Sequence, residues 1–475
     1  MLRWRHKALC RISTNLTTLQ GYEPRYDAPE SEPPRFFDTA VSALHLEDSS
    51  YIPDTTLPED FYSSDFYATK LLSYFESRTP EEKKKPFFAY LPFSAPHWPL
   101  QAPAESVAKY KDKYKDGPAA LRLRRLEQLK SLGLIPENVI PHEVIGTTGT
   151  KPCSWDELST AERAKSARSM EVYAGMVDRM DENIGRVVEH LKESGEYDNT
   201  FILFMSDNGA EGASYEAMPL LGEEVVSHIN KYYNNSLENI GRKDSFVWYG
   251  SLWAQAATAP SRLYKMFSTQ GGCRVPFVMK PAKGSSAADL GGKITDAFCT
   301  VMDIVPTILE LAGLKHPSHY NGREVAPLMG SSWVPYLSST QNLGASAAEL
   351  KTTQIHDDLQ VTGWEICGSG AIRRGRYKIT YVPFPKGPQR WELFDIVADA
   401  GETTDISIQH PELFQEMKDL WEIYKKDVGV VGLAEDFKGL AAINENADEF
   451  EDSGKWIRYI GKEDVPSTAM GKIPF

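Results

Sequence analysis

Phe201-Ile202-Leu203-Phe204-Met205-Ser206-Asp207-Asn208-Gly209 is a short apolar run that ends in two side-chain oxygen donors and a glycine. Apolar residues without alternation, bounded by polar and turn residues, read as a strand covered on both faces. The segment before it, residues 156–192, reads as a helix. Met170, Tyr173, Val177, Met180, Ile184, Val187 and Leu191 recur there at three- and four-residue steps and form one apolar stripe. Gly195 suits the cap after that helix. Helix, short turn and apolar strand make an α/β crossover unit, which predicts a parallel sheet. Ligands in open α/β sheets gather at the carboxyl ends of the strands, so Asp207 and Asn208 stand where a ligand would be held.

Outward from this unit the pattern continues. A helix is predicted from Ser63-Ser64-Asp65, with Phe66, Leu71, Tyr74 and Phe75 inward. Pro80-Glu81-Glu82-Lys83-Lys84-Lys85 reads as a solvated loop, and Pro86-Phe87-Phe88-Ala89-Tyr90-Leu91-Pro92-Phe93 as a second strand covered on both faces. Residues 101–156 read as a polar, helical, peripheral insertion. Residues 210–270 are a long connection, and a loop of that length in a compact domain is usually functional. Val275-Pro276-Phe277-Val278-Met279 is another buried strand candidate, and Asp303-Ile304-Val305-Pro306 starts a helix that Gly313 ends.

Thereafter the pattern changes. Residues 371–382 and 391–396 read as antiparallel strands about a turn, and residues 411–428 as an amphipathic helix. The expected fold class is α/β. Residues 21–350 would form a mixed, mostly parallel sheet sandwiched by helices, and residues 351–435 a small α+β domain with an antiparallel sheet. A basic segment, 1–20, and an acidic tail, 436–475, flank them, and residues 21–62 read as an irregular surface segment.

Hydrophobic residues at 41% and charged residues at 25% place the 475-residue chain among soluble globular proteins. A net charge of −14 argues against a nucleic-acid or anionic-membrane partner, which would call for a basic face. No apolar run is long enough to span a bilayer. Cys10, Cys153, Cys273, Cys299 and Cys367 are scattered and form no CxxC, so they read as reduced thiols. Asn15 and Asn234 begin N-x-S/T triplets, which arise often by chance. The first residues are basic but lack an apolar h-region, so no secretory signal is legible and the default compartment is the cytoplasm.

Each candidate group has a bland reading beside the chemical one. Asp207-Asn208-Gly209 is a common turn after a strand, yet a carboxylate beside an amide carbonyl also suits a hard cation, Ca²⁺ or Mg²⁺. His97, in Ala95-Pro96-His97-Trp98-Pro99, can pack against Trp98 or give a proton to a leaving group. Lys265, near Arg262, is either a solvated cation or a partner for an oxyanion. Arg274 reads as structural, and Asp181 and Asn183 as surface or capping groups. Cys10 has a basic neighbour, Arg11, but no placed base, and takes no role.

Taken together, residues 87–103, 173–181, 204–212, 236–242, 259–265 and 271–276 resemble the formylglycine-dependent sulfatases of the alkaline-phosphatase-like superfamily, nearest the bacterial arylsulfatases. The resemblance runs from about Gly21 to about Gly432. It implies that Asp207 and Asn208 are two of the calcium ligands. His97 and Lys265 would contact the sulfate, with His97 a candidate proton donor to the leaving alcohol or phenol. In that family an aldehyde hydrate made from a cysteine attacks sulfur, forms a covalent sulfate ester, and is regenerated by elimination.

The departure is at the nucleophile. The family's opening strand with its Asp-Asp pair, the Cys-x-Pro-x-Arg motif that follows it and the Lys-Trp-His segment do not occur here, and Cys10 is followed by Arg11-Ile12-Ser13-Thr14. The expectation is a sulfuric ester hydrolase by descent acting on a small-molecule sulfate ester, N-terminally truncated and inactive alone. The alternative is a catalytically dead relative that binds anions or a partner. A phosphodiesterase of the same superfamily would need a two-metal site rich in Asp and His and ranks last.

Overall fold

The computed structural model describes residues 60–146, 155–212, 233–283, 285, 292–338 and 354–431, with the backbone of two short antiparallel strands, β1 (His45–Glu47) and β2 (Ser50–Ile52). The expectations for residues 1–20, Cys10, Asn15, Cys153, most of the segment 21–62 and the acidic tail lie outside the described residues.

Helix α1 (Ser63–Glu76) starts where the sequence predicts and turns Tyr67, Ala68, Leu71 and Phe75 inward at helical spacing. Phe66 and Tyr74 remain half-buried. The predicted loop at Pro80 is instead a one-turn helix, α2 (Pro80–Lys83). Thr79 and Glu82 close a capping box that satisfies the first amides, so even this exposed, charged segment coils.

Residues 86–93 are extended but form no assigned strand, and they are not covered on both faces. Phe87, Ala89 and Leu91 pack on Leu71, Phe75 and Leu191, whereas Phe88 and Tyr90 are exposed. The physical reason is the two-residue period of an extended chain: one set meets the helices, and the other points away from them.

Helices α3 (Ala104–Ala108) and α4 (Gly117–Ser131) correct the expectation of a peripheral insertion. Val107 shares a core with Leu100, Ala102, Val172, Met176, Ile240 and Val247. Arg122 of α4 is buried and donates to the carbonyls of Gln255 and His142. Its charge disguises a core position that backbone oxygens satisfy.

The long helix is α5 (Thr160–Glu193), opened by a capping box between Ser159 and Glu162. It ends in a Schellman arrangement: Gly195 adopts φ 73°, and Glu196 N–H donates to the Leu191 carbonyl at 2.9 Å. Met170 and Leu191 of the predicted stripe are buried, but Val172 and Met176 are buried too and Val177 is exposed. The helix packs against both α1 and α3, which widens and rotates its apolar face relative to a single stripe. Asn183 is buried rather than a surface group. Its amide donates to Asp65 at 2.7 Å beside the two-bonded Arg179–Asp65 pair, which fixes α1 against α5. Asp181 is exposed as expected.

The deciding strand forms as β3 (Ile202–Met205). Ile202 packs toward the α1/α5 side and Leu203 on the cluster around Trp333, but no residue of the strand is fully buried and Phe204 is exposed, so the expected cover on both faces is only partial among the described residues. Among the described residues two short helices follow, α6 (Ser251–Ala257) and α7 (Gln270–Cys273), before β4 (Phe277–Lys280). Strand β4 pairs with β3 antiparallel, Leu203 opposite Met279. Among the described residues β3 has no parallel partner, because the chain re-enters beside it from the opposite end. Val278 on β4 is exposed, although the sequence marks that strand as buried.

Helix α8 (Ile304–Leu311) carries Pro306 in its first turn and is followed by Gly313 at φ 64°. A two-residue pair, β5 (His319–Tyr320) with β6 (Arg323–Glu324), and helix α9 (Val334–Ser338) come next.

The C-terminal sheet is an antiparallel meander of β7 (Val361–Ile366), β8 (Ser369–Arg374), β9 (Tyr377–Tyr381) and β10 (Trp391–Asp395). Strand β7 escapes the sequence reading because Gly363 breaks its pattern. Cys367 and Gly368, both at positive φ, form the two-residue turn that joins it to β8. Helix α10 (Pro411–Val428) lays Met417 and Trp421 on Ile372, Ile379 and Leu393. Burying side chains of this size contributes roughly 1.5–3 kcal/mol each.

Candidate anion site

Two backbone segments run side by side at the end of β3. Ser206 N–H donates to the Pro276 carbonyl, Gly209 N–H to the Gly272 carbonyl at 2.9 Å, and Lys265 N–H to the Ala210 carbonyl at 3.0 Å. The approach is close enough to require glycine: a Cβ on Gly209 would lie 1.9 Å from the Gly271 carbonyl oxygen. The turn after β3 is therefore seated on the loop that carries Lys265.

That loop is itself held in an uncommon conformation. Leu263 and Met266, on either side of Lys265, have φ of 56° and 76°. Non-glycine residues keep such angles only where the surroundings enforce them. Here Thr258 Oγ1 donates to the Leu263 carbonyl at 2.8 Å, and Thr269 Oγ1 to the Arg262 carbonyl at 2.7 Å. The C-terminal sheet holds the loop from below: Arg262 pairs with Glu392, Ser268 N–H donates to Ser369 Oγ, and Gln270 N–H to Glu402.

His97 enters from the other side, on the turn closed by its own N–H donating to the Ser94 carbonyl. Its ring lies against Trp98, centroids 4.8 Å apart, and Nδ1 is 2.8 Å from the Trp98 carbonyl. A carbonyl only accepts, so Nδ1 carries a hydrogen, and Nε2 faces the site, where it donates to a carboxylate only as the N–H of the doubly protonated ring.

His97 and Lys265 meet at Glu211. His97 Nε2 lies 3.4 Å and Lys265 Nζ 2.9 Å from the same oxygen, Oε2. Burial works to raise the Glu211 pKa, but the hydrogen bond from His97 and the charge and hydrogen bond of Lys265 prevail and hold it at about 2. Behind it Tyr249 is enclosed, and burial, with Tyr173 and Glu211 nearby, pushes its phenol well up. Trp98, Leu100, Trp248 and Tyr249 wall a small depression beside Glu211.

Sequence reasoning names His97 and Lys265 but assigns no role to Glu211. The residue lies inside the quoted stretch 204–212, yet a carboxylate in an Ala-Glu-Gly turn carries no pattern of its own. Its partners are distant in the chain, and only the fold joins them.

Asp207 and Asn208 precede Glu211 on the same turn. Asp207 is exposed and Asn208 half-buried. Among the described residues no group of three or more His, Cys, Asp or Glu is placed to hold a metal. Ca²⁺ takes six to eight oxygens. The two donors match a hard cation in kind, but the described residues do not complete its shell. Cys273, Cys299 and Cys367 are free thiols, as expected, and burial pushes Cys273 and Cys299 to about 11.

Comparison with known proteins follows the same segments. The sulfatase family model matches residues 15–314. The chain is 48% identical over 380 residues to an uncharacterized sulfatase of Schizosaccharomyces pombe, covering 80% of this chain and 64% of that protein. It is 36% identical over 297 residues to an arylsulfatase of Klebsiella aerogenes, covering 62% and 60% of the two. A multifunctional alkaline phosphatase superfamily protein of Trinickia caryophylli is 24% identical over 353 residues, covering 74% and 56%. The chain thus spans less than two thirds of the length of each of these relatives.

Proposed function

The chain belongs to the sulfatase family, with its alkaline-phosphatase-like α/β fold, and from that premise we propose that its site is built to take the sulfate group of a small-molecule sulfate ester for R–O–SO₃ cleavage of the arylsulfatase type. The observation that carries this reading is the convergence of His97 Nε2 and Lys265 Nζ on one oxygen, Glu211 Oε2, at 3.4 and 2.9 Å. Two nitrogen groups from separate loops, aimed at one point, are arranged to stabilise a charged oxygen. In this reading Lys265 neutralises a sulfate oxygen, and His97 holds the ester oxygen and delivers a proton to it as the alcohol or phenol leaves. Asp207 and Asn208 would lend oxygen donors to a divalent cation beside the sulfate.

The nucleophile decides turnover. Formylglycine arises from Cys-x-Pro-x-Arg, and none of the five cysteines is followed by that pattern. The half-buried thiols of Cys273 and Cys299, pushed to about 11, carry almost no thiolate near neutral pH. We therefore place these 475 residues as a sulfate-ester-binding frame that does not turn over on its own.

The test uses the chain purified, with calcium, from a host that makes formylglycine. With a chromogenic aryl sulfate, release of product should match buffer, while binding of the ester is lost in Lys265→Met. Turnover that His97→Ala abolishes would overturn the inactive reading. Absence of binding would overturn the site itself.

A further inference from the structure

Glu211 places a negative charge where an anion would be bound, touching both groups that would bind it. Its side chain is 13% exposed, and among the described residues the titratable groups that face it include His97, Lys265 and the Tyr249 phenol. Whatever the protonation of His97, Glu211 lowers the charge of the pocket by one unit.

A sulfate monoester carries one negative charge. A phosphate monoester of nearly the same shape carries two above its second pKa of about 6. Tetrahedral shape and hydrogen bonding hardly separate the two, whereas charge does. A second unit charge held about 4 Å from a partly buried carboxylate is disfavoured by a factor of at least about ten. The discrimination is a penalty against the wrong ligand as much as an attraction for the right one.

We propose that Glu211 is the specificity-determining residue of this anion site, a fixed counter-charge that admits singly charged sulfate esters and rejects doubly charged phosphate esters. The proposal rests on the anion-site reading above and adds the residue that selects among tetrahedral anions. It is supported by the low pKa of Glu211, which keeps the countercharge in place throughout the neutral range.

The experiment is equilibrium binding of phenyl sulfate and phenyl phosphate to the full chain and to Glu211→Gln and Lys265→Met, with thermal unfolding confirming that each is folded. At about pH 8, where phenyl phosphate is doubly charged, the wild type should favour phenyl sulfate. Glu211→Gln should narrow or invert that preference by about tenfold or more. Should Glu211→Gln fail to fold, the wild type alone still decides: its preference should shrink as pH falls toward 5, where phenyl phosphate loses its second charge at about pH 6. Equal gains for both ligands in Glu211→Gln, or a wild-type preference indifferent to phosphate charge, would overturn the proposal and leave the anion site standing. Binding of neither ligand by any of the three proteins, or binding that Lys265→Met retains, would overturn the anion site and this proposal with it.

Discussion

Lys378 and Glu402 form an ion pair with no exposed side-chain surface, Nζ to Oε1 at 3.0 Å, between β9 and the turn after β10. The other carboxylate oxygen of Glu402 accepts from the Gln270 amide at 2.9 Å, so the pair reaches the loop that carries Lys265. Arg262 and Glu392, joined at 2.8 Å, clamp the near end of the same loop. The C-terminal sheet thereby forms the floor beneath a site whose contacting residues all lie outside it.

Removing the charge of Glu402 strands a buried ammonium, which costs about 3–5 kcal/mol. Glu402→Gln should therefore unfold at markedly lower urea, while Lys378→Met combined with Glu402→Leu should recover most of the loss. Urea denaturation of the two variants decides it. A Glu402→Gln curve within about 1 kcal/mol of wild type would mean that the pair contributes no net stability.

Glu211 makes folding stability depend on acid. Its folded pKa, about 2, lies below the unfolded carboxyl value, which is about 4.3. The stabilisation is therefore complete above the unfolded value and lost as pH falls toward 2. Glu211→Gln should be less stable than wild type at neutral pH by on the order of 3 kcal/mol. The gap should close between about pH 5 and pH 2. Urea curves across that range test it, and a gap independent of pH would show that packing rather than charge holds Glu211.

What the sequence discloses depends on how local the signal is. Helix α5 is legible because its caps and apolar steps all lie within its own length, and α10 for the same reason. His97 and Lys265 stand out against prolines, tryptophan and arginine in their own loops. Glu211 is hidden because its meaning comes from residues 114 positions before and 54 after it in the numbering. The antiparallel β3–β4 pair is hidden likewise, since an apolar run states that a strand is covered but not which neighbour covers it. The outward-facing Phe88 and Tyr90 show the complementary failure: composition predicts burial, and only the alternation of an extended chain reveals which half achieves it.

The cysteines separate by position. Cys367 sits in the exposed turn between β7 and β8, whereas Cys273 and Cys299 are pushed to about 11 by burial. Alkylation needs an accessible thiolate. Iodoacetamide applied to the native chain should label Cys367 first among these three, with Cys273 and Cys299 reacting only in urea, as read by peptide mass spectrometry. Native labelling of Cys273 at the rate of Cys367 would contradict the half-buried placement of the Cys273 thiol.

Calcium tests how far Asp207 and Asn208 go without a full shell. Affinity for Ca²⁺ follows the number and charge of oxygen ligands, and two side chains with water complete few of the six to eight positions. Binding should be no tighter than roughly the 10⁻⁴–10⁻³ M range of weak extracellular sites. Isothermal titration should show it weakened further in Asp207→Ala, with Mg²⁺ weaker still because it surrenders its water reluctantly. Micromolar binding abolished by Asp207→Ala would mean that segments beyond the described residues complete the shell. That result would also add positive charge beside Glu211, so the phosphate penalty should then be read with calcium both present and removed.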